Sequence, residues 1–170
     1  MSGGAAMGND PGFTWPDDDI SRVPYQVYTD AEIYAREQEN VFQGPTWNFL
    51  CLEAELANPG DYKTTYIGEA PIIVTRDGDG GFNGLVNRCA HKGAMVCYTP
   101  RGNTRHLTCV YHNWSYDLRG NLAAVAFSKG VGGQGGLAGD FKKAEHGLQR
   151  LRIETYRGLI FGSFSNATPA

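Results

Sequence analysis

The sequence predicts an all-β, antiparallel body with one N-terminal helix. Three observations carry this. Glycine is the composition outlier at 23 of 170 residues, concentrated between Gly78 and Gly84 and between Gly130 and Gly139. Nine Tyr and eight Phe accompany it, residues that favour a pleated, half-buried surface. Short apolar runs alternate with turn-forming clusters along most of the chain. At 170 residues one compact domain is expected.

Residues 1–28 read as an extended lead-in, with Pro11, Pro16, Pro24 and the solvated acidic run Asp17-Asp18-Asp19. Thr29 is expected to open the helix, with Glu32 three residues on completing a capping box. Ile33, Tyr34, Val41 and Phe42 recur at helical spacing, and Gly44-Pro45 ends the helix. From Trp47 the pattern becomes β. The strand candidates are residues 47–52, 63–67, 72–76, 82–86, 105–109, 148–153 and 159–164. Asp77-Gly78-Asp79-Gly80-Gly81 reads as a hairpin turn, because Asp-Gly pairs tolerate positive φ, and residues 117–121 read as a second tight turn. The glycine-rich stretch from Ser128 to Gly136 reads as a surface loop. It lacks the Gly-Lys-Ser/Thr ending and the strand-to-helix setting of a phosphate cradle.

Composition excludes several function classes. Hydrophobic residues make up 41% and charged residues 19%, with a net charge of −3, so electrostatic attraction to nucleic acid is not expected. No apolar run approaches the roughly 18–20 residues that span a bilayer. The polar, uncharged N-terminus lacks a signal-peptide pattern, and a cytoplasmic location is expected. Four cysteines in such a chain point to metal or reactivity rather than a disulfide framework.

The chemistry sits between Asn87 and Tyr116. Cys89-x-His91 is followed by seventeen residues and then Cys109-x-x-His112. Two thiolates and two imidazoles, each Cys/His pair just after a candidate strand, outline a metal site in loops 87–98 and 108–117. Structural zinc sites also use two Cys and two His, commonly in C-x2-4-C and H-x3-5-H spacing. Here each loop gives one of each. That division suits a binuclear [2Fe–2S] cluster in which one iron takes both thiolates and the other both imidazoles. Neutral imidazoles in place of thiolates lower the negative charge at the cluster and raise its potential. Zinc in an interaction module without a redox role is the alternative reading of the same four residues.

The joint C-x-H…C-x-x-H pattern resembles the Rieske family at all four ligand positions, Cys89, His91, Cys109 and His112. The resemblance implies an antiparallel Rieske (ISP-like) domain, placed at residues 29–166, with a two-loop cluster-binding subdomain and one cluster per chain. Rieske proteins of cytochrome complexes carry an additional Cys in each loop. Here those places hold Ala94 and Tyr111, so that disulfide cannot form. The place of their hydrogen-bonding Ser holds Trp114, while Tyr116 keeps the place of a second donor. With fewer donors, the potential is expected near the low end of the Rieske range, roughly −150 mV rather than +300 mV. Trp114 is expected to shield the cluster. Lys92 and Arg88 either tune the cluster or dock an acidic electron donor, or are merely solvated cations at a loop tip. Cys51 reads as a small buried hydrophobe and Cys97 as a free thiol, with His106 and His146 as surface or packed residues.

The resemblance extends over about residues 20–166 to the large subunits of ring-hydroxylating oxygenases, above all the branch acting on terephthalate, anthranilate and salicylate. It is carried by Val41-Phe42, Trp47-Asn48-Phe49-Leu50, Glu55 with Pro59-Gly60-Asp61, the run Cys109 to Tyr116, the loop from Gly130 to Gly139, and Gly158 to Phe164. Membership implies electrons received from a ferredoxin or reductase and passed to a mononuclear iron in a catalytic domain or neighbouring subunit, and an assembly of several copies. That iron takes two His and one carboxylate in the family. His106 and His146, the remaining histidines, lack the spacing for it. The chain is therefore expected to be the N-terminal Rieske portion of such a subunit, an electron carrier with no catalytic residues of its own. An independent Rieske ferredoxin is the alternative, to which the N-terminal helix and the insertion from Ala123 to Glu145 are unnecessary.

Overall fold

The computed structural model describes residues 22–169, so the acidic run and most of the expected lead-in lie outside the described residues. Within the lead-in, Tyr25–Tyr28 form one 3-10 turn. The helix α1 spans Ala31–Glu37 and continues as a wider π-helical turn over Gln38–Phe42. Its cap is Asp30 and not Thr29. The Asp30 carboxylate accepts from the backbone N–H of Glu32 (2.8 Å) and Ile33 (3.0 Å), whereas the Thr29 hydroxyl donates back to the carbonyl of Tyr25. The 3-10 turn already engages Thr29, and the next residue offers the freer oxygen. The helix sits on the surface over the turn at Gly68-Glu69. There Gln38 accepts from the Glu69 amide (2.9 Å) and the Tyr34 hydroxyl donates to the Glu69 carboxylate (3.0 Å).

Ten strands follow in two antiparallel sheets. The larger is ordered β1-β10-β9-β4-β3-β2-β5 and the smaller β6-β7-β8. In chain order they are β1 (Asn48–Leu52), β2 (Asp61–Ile67), β3 (Ala70–Arg76), β4 (Phe82–Val86), β5 (Arg101–Asn103), β6 (Leu107–Thr108), β7 (Trp114–Tyr116), β8 (Leu122–Val125), β9 (Arg150–Tyr156) and β10 (Leu159–Ser163). The expected strand 105–109 shortens to Leu107–Thr108 because the chain turns into the second ligand loop at Cys109. The expected strand 148–153 slides to 150–156, since the Leu148 amide bonds to the Gly120 carbonyl instead.

Strand β3 places apolar side chains on both faces, and this sets where the site lies. Ile72 and Val74 join Leu50, Cys51, Leu56, Leu151 and Ile160 in one core. Ile73, on the opposite face, joins Leu85, Leu107, Leu118 and Leu122 in a second core that also contains Cys89, Cys109, Trp114 and Tyr116. Period-two alternation thus turns one strand into the floor of the ligand region. The small sheet is fastened onto that floor by polar contacts. The Thr75 hydroxyl donates to the Leu118 carbonyl (2.6 Å), and Arg119 pairs with Asp77 (2.7 Å) and with Asp79.

Candidate metal centre

The two ligand loops close with the same backbone pattern although their Cys–His spacings differ. In the first, the Cys89 N–H donates to the Ala94 carbonyl (2.8 Å) and the Gly93 N–H to the Cys89 carbonyl (2.8 Å). In the second, the Cys109 N–H donates to the Trp114 carbonyl (2.9 Å) and the Asn113 N–H to the Cys109 carbonyl (2.9 Å). The fourth residue after each cysteine turns left-handed, with φ of 72° at Gly93 and 52° at Asn113. Glycine and asparagine are the residue types that enter that region at least cost. Each loop is a tight knuckle that aims a Cys and a His the same way.

The side chains then separate by depth. Cys89 and Cys109 are buried within the second core, whereas His91 is half-buried and His112 exposed. The two imidazoles meet with ring centroids 4.7 Å apart at an interplanar angle of 76°. Nδ1 of His91 is buried and has no hydrogen-bond partner among the described residues. An unsatisfied buried nitrogen costs about 1–3 kcal/mol, which a bond to metal removes. Burial, then the neighbouring His112 and Lys92, hold the His91 imidazole below the usual histidine range, keeping it in the neutral form a metal binds. Two pairs at different depths suit a binuclear cluster better than one zinc ion.

The surroundings hold the loops in place. The Tyr116 hydroxyl lies 3.1 Å from Cys89 Sγ and accepts from the Ala90 N–H (3.1 Å). Burial, reinforced by Cys89, pushes the Tyr116 phenol up, so it stays protonated and can donate to a thiolate. Trp114 stacks on His91 (centroids 4.8 Å, 7°). Phe141 and His146 meet Trp114 edge-on at 5.7 Å and 5.8 Å. Tyr111 lies over His112 at 3.9 Å. Lys92 is exposed at the tip of the first loop, beside the half-buried His91. A cleft of about 450 Å3 opens on the imidazole side between Tyr111, His112, Trp114, Phe127 and Leu137.

Sequence reading did not single out Asn87, although it heads the first loop. Its fully buried amide accepts from the N–H groups of Val96 (3.0 Å) and Cys97 (2.9 Å) and donates to the Cys97 carbonyl (2.7 Å). Of the two thiols that are not candidate ligands, Cys51 is fully buried and burial pushes it up to about 11, which makes it unreactive. The Cys97 thiol is buried and lies within reach of the Thr99 carbonyl (3.6 Å) and hydroxyl (3.7 Å). His106 lies at the surface, whereas His146 is packed on Trp114 and Phe141.

The sequence pattern of the Rieske [2Fe–2S] domain matches residues 46–132, about half of the chain. The chain belongs to the Rieske [2Fe–2S] domain family. Its cofactor is accordingly a Rieske-type [2Fe–2S] cluster, in keeping with the donor set just described. Relatives by sequence include the anthranilate 1,2-dioxygenase large subunit of Burkholderia cepacia, 53% identical over 89% of this chain and 36% of that protein. They also include a terephthalate 1,2-dioxygenase terminal oxygenase alpha subunit of Comamonas, 47% identical over 88% of this chain and 36% of that protein. Naphthalene 1,2-dioxygenase from Rhodococcus superposes with a TM-score of 0.76 at 36% identity, covering 87% of this chain and 32% of the other. The chain thus spans about a third of the relatives it matches. No helix among the described residues is long and apolar enough to cross a membrane.

Proposed function

We propose that this Rieske domain is the electron-relay portion of a ring-hydroxylating dioxygenase, with Cys89 and Cys109 binding the inner iron and His91 and His112 the outer one. The observation that carries the assignment is the meeting of two imidazoles, one from each knuckle, beside a buried cluster that holds both thiols. The unpartnered Nδ1 of His91 supports it. When bound, such a cluster takes up and releases one electron at a time. The remaining roles fall to the protein. Tyr116 donates to the Cys89 sulfur, and Trp114 covers His91 from solvent. His112 and the cleft beside it present the imidazole side to a partner. Lys92 and Arg88 stand exposed beside the first loop, where they would attract an acidic donor such as a ferredoxin or a reductase domain.

The acceptor in this reading is a mononuclear iron in the catalytic part of the subunit or in a neighbouring copy. Its substrate class is the aromatic carboxylates named for the relatives. A cytoplasmic setting goes with it. Optical and low-temperature EPR spectra before and after dithionite test the assignment. A red-brown protein is expected, whose reduced form gives a rhombic signal with average g below that of all-cysteine clusters. A colourless protein with one equivalent of zinc overturns the relay.

A further inference from the structure

The two knuckles share their backbone bonds but not their foundations. The second is the tip of a true hairpin, in which β6 and β7 pair at Leu107–Tyr116 and Thr108–Ser115 and a hydroxyl contact joins Thr108 to Ser115 (2.9 Å). The first leaves β4 and returns through residues 94–98 without forming a strand. The returning segment would have no ladder to hold it. Beyond Ala94, whose carbonyl takes the Cys89 N–H, one side chain meets its backbone: Asn87 Oδ1 takes the Val96 and Cys97 N–H groups, and Nδ2 gives to the Cys97 carbonyl. The Asn87 backbone N–H is itself anchored to the carbonyl of Pro71 in β3 (2.7 Å). A primary amide has the donor and acceptor arrangement of a peptide group, so it can close a ladder that the strand does not supply.

We propose that Asn87 is the positioning residue of the first ligand loop. Its amide replaces the missing strand pairing and fixes where Cys89 and His91 meet the metal. This inference rests on the reading of those two residues as ligands. Groups hydrogen-bonded directly to metal ligands are worth about tenfold to hundredfold in metal affinity. Asn87 acts one step further out, on the backbone that returns from the ligands, so its loss should cost up to the low end of that range.

The test compares the holoprotein with Asn87→Ala, which removes all three bonds, and Asn87→Asp, which keeps the acceptors and loses the donor. Ser163→Ala serves as the control, because it removes a buried hydroxyl contact to Thr168 (2.7 Å) in β10, outside both ligand loops. The readouts are the rate of bleaching by a chelator and the line widths of the reduced EPR signal. In Asn87→Ala, bleaching several-fold faster, up to about tenfold, and a broadened signal are expected. Asn87→Asp should fall between it and the parent, and Ser163→Ala should match the parent in both readouts while melting lower. Should Asn87→Ala not accumulate as holoprotein, Asn87→Asp decides alone against the parent. Parent-like bleaching, within twofold, and a parent-like spectrum in the Asn87 variants overturn the positioning role and leave a purely structural one. Failure of the ligand reading shows separately, as a parent-like spectrum in His91→Ala or His112→Ala.

Discussion

Set side by side, the two ligand loops reach one geometry by different means. Both use a left-handed residue four places after the cysteine and the same pair of backbone bonds. The second loop inherits its shape from the β6–β7 hairpin, itself backed by β8, so sheet cooperativity holds it. The first is held by side chains: the Asn87 amide behind it and the Tyr116 hydroxyl beneath it. Tyr116 belongs to the second loop's strand, so each loop is set partly by the other. A site built this way is stiff where the thiols lie, and it leaves the imidazole edge open to solvent and to the adjoining cleft.

The largest effect should come from breaking the equivalence of the loops at the metal. Cys89→Ser, Cys109→Ser, His91→Ala and His112→Ala should each abolish the Rieske EPR signal, whichever loop is hit. Cys51→Ser should keep the signal, because that thiol lies in the other core. A signal that survives in one loop's variants and is lost in the other's would break the symmetry.

Next in size is the tie that docks the second loop's sheet onto the large one. Burial works against the charge of Asp77, yet Arg119, Asn83 and the amides of Gly81 and Asp79 outweigh it and hold the carboxyl below its usual range. A depressed carboxyl stabilises the fold above its unfolded value, about 3.9, and that contribution is lost as the pH falls through the folded value. Asp77→Ala should therefore cost about 1–3 kcal/mol at pH 7, with Arg119 half-exposed and adding little of it. The gap between variant and parent should shrink in urea titrations below pH 4. A gap that stays constant with pH would remove the carboxylate from the account.

How much of this was legible depended on whether a residue's role is local. The four Cys and His positions stand out by type and spacing alone, and β4 falls at Phe82–Val86 as the alternation suggests. Strand β7 was hidden because Trp114–Tyr116 sits inside the motif and read as loop. Strand β8 is Leu-Ala-Ala-Val, whose alanines carry no β preference, and β5 is the exposed Arg-Gly-Asn. Asn87 was opaque for a deeper reason: its amide acts on Val96 and Cys97, which only the return of the loop brings to it. The packing of Phe141 and His146 on Trp114 crosses more than twenty residues in the same way.

A smaller test reads the link between the loops. Tyr116→Phe removes the donor to the Cys89 sulfur while keeping the buried ring. A lost donor stabilises the reduced cluster less, so the midpoint potential should fall by about 30–60 mV, a part of one charge-assisted bond converted at 59 mV per tenfold. Protein-film voltammetry of parent and variant reads the shift. An unchanged potential would mean that Tyr116 supports the Ala90 backbone and leaves the sulfur alone.

The smallest effect is the most specific to the comparison, since it replaces the left-handed residue of each loop in turn. A Cβ on Gly93 would meet no heavy atom within 4 Å, so Gly93→Ala isolates the backbone cost, about 1 kcal/mol or somewhat more. At Asn113 the left-handed turn is already made by a residue that tolerates it, and Asn113→Gly trades that small strain against the greater freedom of glycine in the unfolded chain. The two terms nearly cancel, and a net change within about 0.5 kcal/mol is expected. Urea denaturation of both variants gives the pair of numbers. If Asn113→Gly costs as much as Gly93→Ala, the Asn113 side chain does more than tolerate the turn, and the second loop is held by a side chain as the first one is.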